Sequence, residues 1–247
     1  MKKYLLAVPC YNCEKQIVRV INEVEKLNYI KELKVIFVDN RSEDFTLENI
    51  KKKINTNSNF SVVQNNENYG LGGSHKIIFS YAIEQSYDYV IILHGDNQAR
   101  TNEIDLLINI NNKINIDAIL GSRFMRKSKL IGYSKIRTYG NFFLNTIYTI
   151  FFRKIVKDLG SGLNLYNVDT LKKIDFLKFD DGFTFNMDML IFMIRNKLNF
   201  KYIPITWVET DQVSNAKAVD VGFKTLKKIF INKYKGLNKN YFFKKIK

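Results

Sequence analysis

Tyr89-Val90-Ile91-Ile92-Leu93-His94-Gly95-Asp96-Asn97-Gln98 is a short apolar run that stops abruptly at a polar, carboxylate-bearing turn. An uninterrupted apolar segment of this length, bounded by turn residues, reads as a strand covered on both faces, as in a parallel sheet. Ligands of open α/β sheets sit just beyond the carboxyl ends of such strands. The chemistry of the chain is therefore expected in the turn from His94 to Gln98.

The pattern repeats on either side. Strands are expected at Tyr4–Val8, Leu33–Val38, Ser61–Val63 and Ala118–Leu120, and helices at Glu14–Leu27, Thr46–Ile54, Ser74–Gln85 and Glu103–Lys113, with Asn102 as an N-cap. This alternation predicts an α/β fold, a mostly parallel sheet flanked by helices. The second half is less regular. It reads as an aromatic-rich helix over Tyr139–Phe152, a strand at Leu163–Tyr166 after the Gly160-Ser161-Gly162 punctuation, a helix over Met187–Asn196 and a strand over Phe200–Trp207.

A chain of 247 residues with 46% hydrophobic composition can bury a full core. The net charge of +15 asks for an anionic partner: phosphate groups, nucleic acid or an anionic membrane surface. No helix-turn-helix, RRM or zinc-finger pattern supports nucleic acid. Two cysteines, Cys10 and Cys13, cannot build a disulfide framework, and a reducing cytoplasm is expected. Their C-x-x-C spacing fits a redox pair or two buried thiols, and the continuing βα units favour the thiols. The apolar stretch near Met1 is too short for a signal-peptide core, and no run reaches the length of a membrane span. From Val221 to Lys247 come nine lysines, six aromatics and no acidic residue, the composition of a segment lying on an anionic bilayer.

Several turns carry candidate chemistry. Asp96 is placed to bind Mg²⁺ or Mn²⁺ against a diphosphate, with Gln98 orienting the carboxylate or completing the metal shell and His94 as a further ligand or a structural histidine. Asp39 closes the second strand, where a carboxylate accepts hydrogen bonds from a ribose or base edge. The Asn68-Tyr69-Gly70-Leu71-Gly72-Gly73 turn opens a helix whose backbone amides suit an anion. Arg123 and Arg137 are candidate phosphate clamps, because a guanidinium fork matches phosphate oxygens.

Together these residues resemble the family 2, GT-A type glycosyltransferases, and within them the polyprenyl-phosphate (dolichol-phosphate mannosyltransferase-like) branch. Pro9-x-Tyr11-Asn12 is similar to the opening P-x-Y-N motif, and Val38-Asp39-Asn40-Arg41-Ser42-Glu43-Asp44 to V-D-D-G-S-x-D. Asn68-x-Gly70-x-Gly72 matches N-x-G-x-G, and His94-Gly95-Asp96-Asn97-Gln98 matches the D-x-D-x-Q metal motif. Gly121-Ser122-Arg123-Phe124, the later Arg137 and Asp158-Leu159-Gly160-Ser161-Gly162 resemble elements of the polyprenyl-phosphate branch. The set runs in order from about Tyr4 to Thr206. Three departures stand out: His94 replaces the first Asp of D-x-D, Asn40 replaces the second Asp of V-D-D, and the E-D base pair of hydroxyl-accepting relatives is missing.

The resemblance implies a GT-A domain over 1–220, with a nucleotide-sugar-binding half at 1–120 and an acceptor-side half at 121–220, followed by the basic aromatic segment 221–247. It implies donor contacts from Pro9, Tyr11, Asn12, Glu14, Asp39, Asn68, Gly70, Gly72, Gly95 and Asp96, and an inverting, metal-dependent transfer from a UDP- or GDP-linked sugar. A phosphate-monoester acceptor is already largely ionised near neutral pH and needs cationic clamps, Arg123 and Arg137, more than a base. A saccharide hydroxyl, as in capsule or lipopolysaccharide synthesis, needs a carboxylate within reach, and Asp188 is the candidate. The first acceptor is expected, in an enzyme peripheral to the inner face of the cytoplasmic membrane.

Overall fold

A computed structural model describes residues 2–54, 57–211, 218–230 and 241–246. Its strands are β1 (Tyr4–Cys10), β2 (Leu33–Asp39), β3 (Phe60–Asn65), β4 (Tyr89–Leu93), β5 (Ala118–Ser122), β6 (Lys129–Ile131), β7 (Leu163–Asn167), β8 (Phe200–Pro204), β9 (Thr206–Val208) and β10 (Phe243–Lys245). Its α-helices are α1 (Glu14–Val24), α2 (Thr46–Ile54), α3 (Gly70–Glu84), α4 (Glu103–Lys113), α5 (Lys135–Phe152), α6 (Val168–Leu171), α7 (Phe185–Arg195) and α8 (Ala218–Lys228).

Eight strands form one sheet in the order β10-β3-β2-β1-β4-β7-β5-β8, and β6 and β9 pair separately. The β3-β2-β1-β4 pairings are parallel, as is β5-β8; β7 runs antiparallel to both neighbours, and β10 antiparallel to β3. The expected fold class is the one observed. Successive side chains of a strand point to opposite faces, and both faces are covered. Leu6 and Val8 of β1 join Val35, Phe37, Ile91 and Leu93 in a core under α1, α2 and α4. Leu5 and Ala7 join Ile36, Val38, Val90 and Ile92 in a second core against α3 and α7. Chain order reverses between β1 and β4, so a crevice opens at their carboxyl ends.

Several local expectations are corrected. Asn102 stands before α4, but its side chain makes no capping bond. The strand expected over Phe200–Trp207 is two strands in different sheets: β8 ends at Pro204, in register with Ser122, and after Ile205 the chain continues as β9, which pairs with β6. α3 begins at Gly70, four residues before the expected start, and α5 begins at Lys135, with the Ser134 hydroxyl accepting from the Arg137 N–H. In the C-terminal stretch, the Thr225 carbonyl of α8 accepts from the Tyr148 hydroxyl at 2.7 Å, and β10 adds an edge strand to the large sheet.

The strand ends around the crevice are knotted by Asn40. Its N–H donates to Cys10 O (2.8 Å), and its Nδ2 to Asn68 Oδ1 (2.8 Å) and Gly70 O (3.3 Å). Its Oδ1 accepts from Asn65 Nδ2 (2.8 Å) and the Tyr69 N–H (3.0 Å). An aspartate could not supply the two donor bonds, which gives the departure from V-D-D a structural reason. Asn40→Ala is expected to cost about 2–4 kcal/mol, because it strands the buried Asn65 and Tyr69 donors. Asn40→Asp should cost at least as much, since its carboxylate would face two oxygens. Urea unfolding measures both, and losses under about 1 kcal/mol would show that the knot is dispensable.

His75 of α3 is buried, its ring stacked at 5.3 Å on Phe185 and edge-on at 5.6 Å to His94. Burial, then the neighbouring His94, lowers its pKa from 6.5 to about 3. A group held neutral in the fold but protonated when unfolded contributes stability that is complete above about pH 6.5. That stability is lost as pH falls toward 3, at about 1.4 kcal/mol per unit. Thermal melts from pH 7 to 4 should show a steeper loss in the wild type than in His75→Phe; parallel slopes would contradict the burial argument.

Candidate active site

The crevice beyond β1 and β4 is a cleft of about 730 Å³. Each parallel strand ends in a polar turn at its rim, and the turns are stitched together. Asn12, in the left-handed region at φ 48°, donates its N–H to Ser42 Oγ (3.0 Å) and accepts from the Glu43 N–H (2.9 Å). Glu14 Oε2 accepts from the Phe45 N–H at 3.1 Å, and the Thr46 hydroxyl accepts from the Cys13 N–H at 2.8 Å.

Of the expected donor-side residues, Pro9, Tyr11, Asn12, Asn68, Gly70, Gly95 and Asp96 line the cleft. Three do not. Glu14 is occupied in the turn just described. Asp39 lies buried beside it, accepting from Gln64 Nε2 at 2.9 Å and from the Ser42 N–H at 3.3 Å. Gly72 is a correction: its N–H donates to Asp181 O at 2.7 Å, so it is not offered to an anion. A Cβ there would stand 2.2 Å from Asp180 O, which makes Gly72 a packing glycine.

Cys10 and Cys13 are free thiols packed under the cleft floor. A Cβ on Gly95 would come within 2.8 Å of Cys10 Sγ, so the small thiols and the glycine fit one another. Burial pushes the Cys10 thiol well above its ordinary pKa, the opposite of what an attacking thiolate needs.

Asp96 is recessed in the turn after β4, and its Oδ1 accepts from the Gln98 N–H at 3.1 Å. Burial raises its pKa from 3.8 to about 6, and the carboxylate of Glu209 adds to the effect. Glu209, just past β9, accepts from Gln98 Nε2 (3.2 Å), from the Trp207 indole N–H (3.3 Å) and from Arg137 Nη1 (2.7 Å). Sequence reading missed it. The signal was available: like Asp39 and Asp96, it is a carboxylate at the carboxyl end of a strand. Asp96, Gln98 and Glu209 form an all-oxygen donor set of the kind a hard cation takes. Among the described residues no three of His, Cys, Asp and Glu are grouped to hold a metal. A cation held here would rest on these few protein oxygens and would need water or substrate oxygens to complete its shell.

His94 lines the cleft, and burial, then Arg123, lowers its pKa to about 4. A Cβ on Gly162 would stand 2.9 Å from its Nδ1, and its Nε2 has no hydrogen-bond partner among the described residues.

Arg123 and Arg137 both reach the cleft. Arg123 grips Asp158 through Nε (2.9 Å) and Nη2 (2.8 Å), and donates to Gly160 O at 2.8 Å. Arg137 pairs with Glu209 and lies 4.4 Å over the Tyr133 ring. Asp188 is the second correction. It is fully buried and absent from the cleft wall, accepting from Lys228 Nζ at 2.6 Å and from the Asp180 N–H at 2.9 Å. It anchors α8 and the turn before α7, and Asn186, two residues earlier, lines the cleft instead.

Comparison with known proteins accords with this architecture. Dolichyl-phosphate beta-glucosyltransferase of Saccharomyces cerevisiae is 24% identical over 237 residues, covering 87% of this chain and 70% of the relative. UDP-N-acetylglucosamine–dolichyl-phosphate N-acetylglucosaminyltransferase of Methanococcus voltae is 26% identical over 245 residues, covering 94% and 96%. The crystal structure of S. aureus TarS 1-349 superposes with a TM-score of 0.62 at 19% identity, over 93% of this chain but only 64% of that one, less than two thirds of its length. Glucosyl-3-phosphoglycerate synthase from Mycobacterium tuberculosis, in complex with Mn²⁺, UDP and glucosyl-3-phosphoglycerate, superposes at 0.64 with 13% identity, over 92% and 80%. These structural likenesses establish a GT-A fold. The family described as glycosyl transferase family 2 matches residues 6–175, well over half of the chain, and the protein belongs to that family of glycosyltransferases.

Proposed function

We propose that the protein moves a sugar from a nucleoside-diphosphate donor to a polyprenyl phosphate, with inversion at the anomeric carbon. The observation that carries the acceptor is the charge of the cleft wall. Arg123 and Arg137 line it, while Asp96 is the only carboxylate among the described lining residues. An ionised phosphate needs cations to hold it and no base to deprotonate it. The two relatives named for transfer to dolichyl phosphate support the same acceptor class.

In this reading Tyr11, Asn12, Asn68 and Gly70 cradle the nucleotide, and Asp39 with Gln64 supports the base end. Asp96, with Gln98 and Glu209, would hold Mg²⁺ or Mn²⁺, which would supply positive charge against the departing diphosphate. Arg123, fixed by Asp158, presents its remaining Nη1 edge, and Arg137 exchanges part of its Glu209 pairing for the acceptor phosphate. A phosphate oxygen then attacks the anomeric carbon from the face opposite the diphosphate. The new C–O bond forms as the old one breaks, and the electron pair leaves on the nucleoside diphosphate.

One observation favours a saccharide hydroxyl instead: Glu209 puts a carboxylate next to Arg137 where a general base would act. Incubation with a panel of labelled nucleotide sugars, undecaprenyl phosphate and Mg²⁺ or Mn²⁺ separates the two. Label should enter the organic phase, stop with chelator and return with added cation. Asp96→Ala should lower the rate about 10³-fold, and Arg137→Ala should raise KM for the lipid phosphate about tenfold or more. Label delivered to a saccharide, and lost in Glu209→Gln, would overturn the lipid-phosphate reading.

A further inference from the structure

α5 is built inside out. Its buried residues are Asn145 and Tyr148. Outward it presents Ile136, Tyr139, Phe143 and Ile150, which are 84%, 73%, 63% and 72% exposed. Their spacing puts them on one stripe of the helix. Phe142 and Phe151 widen the stripe, and Phe230, just past α8, continues it through a ring contact with Phe151 at 5.7 Å. No described residue covers this face. Apolar area of that extent on a water-soluble surface marks a docking site.

Two further observations name the occupant. The threonines of α5 bond back to their own helix: Thr138 to Ser134 O (3.0 Å), Thr146 to Phe142 O (2.8 Å) and Thr149 to Asn145 O (2.8 Å). Their hydroxyls therefore need no water. The surrounding charge has one sign: residues 118–157 carry nine Lys and Arg and no Asp or Glu. Lys135, Arg153 and Lys154 at the ends of α5, and Lys224 and Lys227 on α8, are exposed around the apolar stripe. An apolar stripe rimmed by cations is complementary to an anionic bilayer. No helix among the described residues is long and apolar enough to cross a membrane, so α5 would lie along the surface.

We propose that the outward face of α5, extended by the exposed aromatics of α8 and the turn after it, seats the protein on an anionic lipid bilayer with the cleft opening toward the headgroups. The same helix supplies Ile136, Arg137, Gly140, Asn141 and Leu144 to the cleft wall, so one element touches both lipid and acceptor. A polyprenyl phosphate could then enter the cleft with its chain still in the membrane. This deepens the proposed function and rests on its lipid-phosphate acceptor.

The test is co-sedimentation of the full chain with vesicles of phosphatidylcholine alone or mixed with phosphatidylglycerol. The double variant Phe143→Gln/Ile150→Gln is compared; both side chains are exposed and neither lines the cleft. The wild type should pellet with the anionic vesicles and release with salt, and the variant should bind about tenfold or more weakly. An unchanged thermal melt shows that the variant is folded, and it should retain transfer to a short-chain polyprenyl phosphate in detergent. Undiminished vesicle binding by the variant, with lipid transfer intact, overturns the docking face and spares the acceptor. Binding lost in the variant, with no transfer to any lipid phosphate, supports the face and overturns the acceptor. A wild-type dimer that becomes monomeric in the variant, with vesicle binding unchanged, assigns the face to a second copy and sinks the proposal.

Discussion

The side-chain amide of Asn40 is the interaction on which the cleft depends. One residue just past β2 ties the end of β3 to the Asn68–Gly70 turn through its side-chain donor and acceptor atoms, while its backbone N–H holds Cys10 at the end of β1. Buried polar groups must be satisfied, and here each is satisfied by a neighbouring strand end. The turns around the cleft are consequently fixed by one another. Asn12 lines the cleft and Glu14 does not, but both bond the neighbouring turn, so the rim is tied together by its own side chains.

The electrostatics follow a similar economy. Each arginine of the cleft is tied to an acid that does not itself line it, Arg123 to Asp158 and Arg137 to Glu209. Such pairing fixes the direction of the guanidinium and limits the repulsion between two cations near one site. The two pairs differ in solvation. Asp158 is fully buried, whereas Arg137 and Glu209 both retain exposure. Arg123 is therefore held by a buried partner, and Arg137 by one that keeps contact with water.

Regular periodicity explains what was legible in the chain. β4, α2 and α4 lie where the pattern puts them, because a buried parallel strand and an amphipathic helix write their environments directly into residue order. Asp96 and Arg123 stand in turns at strand ends, where functional groups gather, and Arg137 stands in the first turn of α5; all three line the cleft. What failed were inferences that depended on partners distant in sequence. Gly72 meets the backbone of Asp180 and Asp181, and Asp188 meets Lys228. Glu209 acquires its place only when β9 leaves the main sheet to pair with β6. α5 read as an ordinary aromatic helix because periodicity identifies an apolar stripe without saying which way it faces.

β10 has a consequence for the molecule's behaviour in a crowded solution. A sheet that stopped at β3 would offer a row of unsatisfied amides and carbonyls to any passing extended chain, the geometry from which strand-by-strand polymers grow. Phe243, Lys244 and Lys245 occupy those groups opposite Asn65, Gln64 and Val63. The two lysines also set positive charge along the new outer edge, where a second sheet would have to approach. β10 thus closes the β3 edge with a short strand that carries two lysines, a form of edge that disfavours further strand addition.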